Sequence, residues 1–332
     1  YMASVSALTL IAGTVTPDRA HDVAASFLAH SARSAVSLTL AFDSNDHTPS
    51  RGAEPTYYAF IPDDGKGFVI VAGDDALSPI LGYSFEDELS KEIPAPMADW
   101  LAEVNEVVIE ARKIDLKPTS EYTRQWQASR AGTDIVLYET AKWNQQYPYN
   151  MECPFGVTGC VNTARAIVMR YLKWPPAPTG VTEEYDIDGY TVKSRDLSTH
   201  EYDWESLPLT DAANANNNWR ADQKALIAMI MADLGHAAKA HYGKETSTSI
   251  SIEPLYEHFN FAADMYILSR ESDSRDVWTA KVKAEVDKAP VLYDGRPSES
   301  AGGHTYVIDG YNDQDYFHVN WGWGGYCNGY FQ

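Results

Sequence analysis

The chain has 332 residues, 44% of them hydrophobic and 22% charged, enough to bury sizeable cores in about two domains. A formal net charge of −21 argues against nucleic acid or anionic membranes as partners and favours solubility. Three cysteines are an odd number, so at least one stays unpaired unless it bonds to another chain, and none has zinc-site spacing.

The elements are expected in the following order. The apolar run from Val5 to Val15 is too short to span a bilayer and lacks the basic region of a complete signal peptide. Thr16-Pro17-Asp18 opens a helix through Ala20, Val23, Ala24 and Phe27, and residues 43–55 read as a polar loop. Thr56 to Ile61 and Gly67 to Ala72 form a hairpin across the Asp64-Gly65 turn signal. Pro94 to Lys113 is a second helix, with Met97, Trp100, Leu101, Val104 and Val108 on one stripe. Together these make a small α+β unit with its own core. Residues 114–141 are polar and aperiodic, and a linker is expected there, with the Arg130–Ala131 bond as a candidate cleavage point.

Thr158-Gly159-Cys160-Val161-Asn162-Thr163-Ala164 places a thiol where a loop turns into a helix. The helix is read from Val161, Ala164, Val168 and Tyr171 or Leu172, and Trp174-Pro175-Pro176 closes it. In its first turn, free N–H groups and the helix dipole are expected to lower the Cys160 pKa and can hold an oxyanion. The plain alternative is a buried core cysteine. Cys153 and Cys327 lack a helix N-terminus or a nearby base and read as structural. Further on, Gln223 to Leu234 is a buried helix and Lys281 to Lys288 a surface helix end. His236 and His241 do not share a helix face, so no metal is expected.

At the far end, the runs 300–311 and 316–325 read as an antiparallel hairpin around Gly310-Tyr311-Asn312-Asp313. A tip near Asn312 sets His304 opposite Asn320 on one face, subject to that register. Nucleophile, base and orienting amide then meet the needs of thiol-based acyl transfer. His304 follows Cys160 by 144 residues, inside the range of about 130–150 noted for papain-like enzymes.

Trp143-Asn144-Gln145, Pro148-Tyr149-Asn150, Thr158-Gly159-Cys160-Val161, Met169-Arg170-Tyr171, Gly302-Gly303-His304, Val307-Ile308-Asp309-Gly310 and His318-Val319-Asn320-Trp321-Gly322-Trp323-Gly324-Gly325 together resemble the streptopain family of secreted bacterial cysteine peptidases, interpain-type members included. The collinear order of these motifs makes the resemblance specific, and it covers the whole chain. It implies an α+β papain-like catalytic domain over 132–332, preceded by an α+β inhibitory prodomain over 1–131. By the same resemblance Cys160 is the nucleophile, His304 the general base and acid, and Gln145 an oxyanion donor beside the Cys160 N–H. Asn320 and Trp321 orient the imidazole, and Gly159 and Gly303 line the substrate backbone. The implied activity is that of a secreted or cell-surface bacterial endopeptidase zymogen. Its partners are protein or peptide substrates and its own prodomain, with no cofactor, metal, nucleic acid or membrane span. The alternatives are a cysteine-dependent acyltransferase and a non-catalytic adhesion or haem-binding module.

Two departures from the family pattern stand out. Asn162 and Arg165 replace small or uncharged residues and are expected to face solvent or the helix flank. The chain ends at Gly329-Tyr330-Phe331-Gln332 where the family continues, so a C-terminally truncated catalytic domain is expected.

Overall fold

The computed structural model describes residues 13–31, 37–47, 54–212, 218–295 and 303–332. Most of the Val5–Val15 run and the Ser300–Gly302 end of the histidine motif lie outside the described residues. Two compact units emerge, one of residues 1–93 and 100–131, the other of residues 94–99 and 132–332.

In the first unit, helix α1 (Pro17–His30) starts at Thr16, whose hydroxyl accepts the Arg19 N–H, and buries Ala20, Ala24, Phe27 and Leu28. These side chains cover an antiparallel sheet of β1 (Leu38–Asp43), β2 (Tyr57–Pro62), β3 (Phe68–Ala72) and β4 (Ile80–Ser84), paired in that order. Phe27 meets Tyr83 edge-on at 4.9 Å. The expected hairpin is β2–β3. The supposed polar loop begins as the end of β1 and the one-turn helix α2 (Ser44–His47), held by the Asp43 and Asp46 carboxylates on neighbouring backbone N–H groups.

Helix α3 (Ala95–Lys113) follows the expected stripe, and its first turn, through Asp99, groups with the second unit. The expected linker is ordered in two places: α4 (Ser120–Gln127), capped by the Thr119 hydroxyl, and strand β5 (Asp134–Leu137). Both are too short for a hydrophobic period to show in sequence, and α4 buries only Trp126, whose indole N–H donates to the Leu77 carbonyl at 2.9 Å. Arg130, between them, is exposed.

The second unit is built on α5 (Cys160–Leu172), packed between α6 (Ala221–Ala237) and the long strand β9 (His304–Asn312). Ala164, Ile167 and Met169 of α5 join Ile227, Ile230, Met231 and Leu234 of α6 and Val307 of β9 in one core with Trp143, Tyr149 and Trp204. Strand β9 pairs with β5, with β8 (Val291–Gly295) and with β10 (Phe317–Asn320), which in turn pairs with β11 (Gly329–Phe331), all antiparallel. A small β6–β7 hairpin (Tyr185–Ile187, Tyr190–Val192), α7 (Glu253–His258) and α8 (Arg275–Val286) complete the unit.

Two expectations are corrected. The hairpin turns one step later than Asn312, over Asp313–Tyr316, because the Asn312 carboxamide oxygen accepts the N–H groups of Gln314 (2.9 Å) and Tyr316 (3.1 Å). With a bulge between His318 and Val319, Asn320 stands opposite Val307, and His304 stands opposite Gly295 of β8. Asn162 and Arg165 are 0% and 2% exposed, not solvent-facing. The 248–251 segment covers them: the Asn162 amide donates to the Thr248 hydroxyl at 3.2 Å, and Arg165 Nη2 donates to the carbonyls of Ser249 (3.2 Å) and Ser251 (2.6 Å). Burial pushes the Arg165 guanidinium down to about 10.

Behind α6 lies a buried polar hub. Asp233, fully buried, accepts from Arg195 Nε (2.5 Å) and the Tyr202 hydroxyl (2.6 Å) and meets His200 Nδ1 at 2.8 Å. Arg195 also reaches Glu152 at 2.5 Å. Removing the carboxylate leaves Arg195 with Glu152 alone and the buried Tyr202 hydroxyl without its acceptor. Asp233→Ala is expected to destabilise the second unit by about 3–5 kcal/mol, read as a lower urea midpoint. A loss below about 1 kcal/mol would show the hub to be dispensable.

Candidate active site

The site begins with a backbone constraint. Gly159 caps α5 with φ of 87°, and a Cβ there would sit 2.9 Å from the Thr246 carbonyl oxygen, so glycine is required on two counts. The first turn is then fastened by Thr163, whose N–H (3.1 Å) and hydroxyl (3.0 Å) both donate to the Gly159 carbonyl. The Thr158 hydroxyl lies 2.8 Å from that of Thr163. Cys160 is thereby fixed as the first helical residue, half-buried.

Strand β9 reaches the same point from the other side. The N–H of Thr305 donates to the Cys160 sulfur at 3.5 Å, so the residue beside His304 touches the thiol. No hydrogen bond joins Cys160 to His304 among the described residues. His304 Nε2 instead faces Asp99 Oδ2 at 3.4 Å, from the α3 turn that groups with this unit.

The expected drop in the thiol pKa is not found. Burial pushes the Cys160 thiol up, outweighing the downward pull of the N–H groups of Thr305, Val161 and Cys160, and the charge of Asp294 pushes it further up. The N–H groups of the helix terminus and of Thr305 do not overcome desolvation here. Cys153 is pushed to about 12 by burial, and Cys327 is fully buried with its carbonyl accepting the Trp321 indole N–H at 2.9 Å. Cys153, Cys160 and Cys327 are thiols, not disulfides.

Gln145 lies beside the loop that leads to Cys160, its carbonyl accepting the Thr158 N–H at 3.1 Å and its own N–H held by the Asn144 side chain at 2.7 Å. Its amide side chain is half-buried. Gly303, also half-buried, leads directly into His304. Asn320 is not brought to His304. Its amide donates to Thr140 Oγ1 (2.9 Å) and the Ala141 carbonyl (3.0 Å) while its oxygen accepts the Gly322 N–H (3.1 Å). Trp321 is buried against Tyr306, ring centroids 4.8 Å apart, and against Phe331 at 5.2 Å. Asn320 and Trp321 thus brace the loop after β10. The Gly324 N–H ties that loop to the Trp143 carbonyl at 2.9 Å, next to Gln145.

Sequence reasoning missed Asp99, Thr305 and Asp294. Asp99 reads as an ordinary helical surface acid, Thr305 acts through its backbone, and Asp294 depends on the β8–β9 register. None carries a motif.

The Peptidase C10 family model matches residues 143–331, and the Spi protease inhibitor model matches residues 12–108, a span that includes Asp99. Streptopain of Streptococcus pyogenes is 29% identical over 299 residues, covering 80% of this chain and 71% of that protein. The thiol protease/hemagglutinin PrtT of Porphyromonas gingivalis is 27% identical and covers 97% of this chain, which spans 39% of it. Among solved structures, a mutant prointerpain A fragment of Prevotella intermedia superposes with a TM-score of 0.68 at 25% identity, over 90% of this chain and 92% of that one. Active wild-type interpain A gives 0.53 at 29% identity, over 60% and 85%. Matched over more than half its length, the chain belongs to the peptidase C10 (streptopain) family and is a papain-like cysteine peptidase preceded by an inhibitor-like prodomain.

Proposed function

We propose that the chain is a secreted cysteine endopeptidase held as a zymogen, with residues 1–131 as prodomain and 132–332 as catalytic domain. Cys160 attacks a peptide carbonyl, the Cys160 N–H and the Gln145 amide receive the oxyanion, and His304 protonates the leaving amine. Water, deprotonated by His304, then releases the acyl group from sulfur. The observation that carries this reading is the meeting of the α5 N-terminus with the start of β9, where Thr305 N–H touches the thiol and His304 precedes it. Asn320 and Trp321 support the imidazole indirectly, through the loop they brace, and Gly159 and Gly303 leave room for substrate backbone.

Latency is proposed to act on the base. Asp99, inside the inhibitor-matching span, engages His304 Nε2 at 3.4 Å. Both side chains are about one-third exposed, 37% and 31%, so the pair contributes at most about 1 kcal/mol. It orients the imidazole rather than holding the prodomain by itself. The exposed Arg130, between α4 and β5, suits the activating cleavage.

Cys160→Ala and His304→Ala are each expected to abolish casein hydrolysis with unchanged circular dichroism. Gln145→Ala should lower kcat by about 10²–10³ with little change in KM. A folded Cys160→Ala protein cleaving casein at the wild-type rate would remove the assignment. In the full chain, Asp99→Ala is expected to speed self-processing by up to about fivefold, followed as loss of the prodomain by intact mass. A rate equal to wild type would show that Asp99 does not restrain His304.

A further inference from the structure

One charged group beside the nucleophile has no part in the chemistry above. The carboxylate of Asp294, on β8, accepts the Thr305 hydroxyl at 3.0 Å, and the N–H of that same threonine donates to Cys160 Sγ at 3.5 Å. Asp294 and Thr305 are partners in the β8–β9 register, so they share a face of the sheet. Thr305, the middle of this chain of contacts, is 4% exposed. The linkage is therefore built into the ladder: strand register sets Asp294, Asp294 sets Thr305, and Thr305 sets the thiol.

We propose that Asp294 is a positioning residue for the nucleophile, anchoring Thr305 against Cys160 and fixing by its charge the pH at which the thiol passes its proton to His304. The step is a plain proton transfer: the S–H bond of Cys160 breaks, an N–H bond forms on the imidazole, and the sulfur keeps the electron pair. A fixed negative charge near the sulfur opposes the thiolate and favours the imidazolium. The direction agrees with the contribution of Asp294 to the Cys160 thiol, which is upward. Two other charged groups among the described residues are directed elsewhere. Asp99 faces His304, and Arg165, further along α5, is bound to the Ser249 and Ser251 carbonyls. Asp294 differs from Asp99 in belonging to the sheet that carries His304, so it stays when the prodomain is removed.

This inference rests on Cys160 being the nucleophile, and the test separates the two. The full chain is alkylated with iodoacetamide across a pH series, and the rate at each cysteine is read by peptide mass spectrometry. Wild type, Asp294→Asn, Asp294→Ser and Thr305→Val are compared, each checked for its thermal transition. Asn keeps an acceptor for Thr305, Ser shortens it, and Val removes the hydroxyl while leaving the charge. Both neutral replacements of Asp294 should move the acid limb of Cys160 alkylation to lower pH, giving rates on that limb roughly two- to fivefold above wild type. Thr305→Val should keep the wild-type limb and lower the plateau. If either neutral variant fails to fold, the other carries the comparison. Limbs that coincide with wild type in both neutral variants, or that move as far in Thr305→Val, would overturn the role of the charge. Wild-type Cys160 reacting no faster than Cys153 would instead overturn Cys160 as the nucleophile.

Discussion

The catalytic geometry depends on the chain reversing at Gly159. A residue with a side chain could neither adopt that left-handed conformation without strain nor fit beside the Thr246 carbonyl, so α5 must begin at residue 160. Once it does, the buried face of the helix leaves it no freedom to slide. Ala164, Ile167 and Met169 are locked between α6 and Val307. Val307 lies on the strand that starts with His304, so the packing that stabilises the core also fixes the distance between the thiol and the start of β9. Stability and site geometry are one constraint here, which is why no separate scaffold for the nucleophile is needed.

The electrostatics at that point run against the simplest expectation for a cysteine at a helix N-terminus. Three N–H groups surround the sulfur, yet burial prevails and the thiol is held up. Dipolar stabilisation at a helix end amounts to about 0.3–1 kcal/mol, whereas desolvating a full charge costs several. An adjacent imidazolium is what normally settles such a contest, and here the imidazole faces Asp99. The thiol is in place at the helix terminus while the imidazole is turned to Asp99.

Sequence pattern carried the elements with long, regular periods. The α1, α3, α5 and α6 helices follow from the spacing or density of their apolar residues, and the β2–β3 hairpin from its β-rich runs and Asp64-Gly65 turn. The short elements, α4 and β5, gave no such signal. Register was the harder limit. The His304–Asn320 pairing required the turn to fall at Asn312, but the Asn312 carboxamide caps the following turn and a bulge at His318 shifts the ladder, so Asn320 ends up on Thr140 and Ala141. On sequence alone Asn162 and Arg165 read as solvent-facing or flank residues, because polar side chains on a helix are usually solvated. The 248–251 segment that covers them offers backbone carbonyls and a hydroxyl, which nothing in the local sequence of α5 reveals.

The two carboxylates near the site have opposite lifetimes in the proposed scheme, and that difference explains how activation can be energetically mild. While Asp99 is present, its carboxylate faces His304 Nε2 and the thiol has no imidazole turned to it. In the proposed scheme, loss of the prodomain takes that carboxylate away and leaves the imidazole to Cys160. The proton then leaves sulfur for nitrogen, so thiolate and imidazolium form together as a pair, instead of two charges being created unpaired in a half-buried site. Asp294 remains on the sheet throughout and opposes the thiolate. The thiolate therefore depends on an imidazolium beside it, and the histidine that holds that proton can act first as acid and then, having given it up, as base.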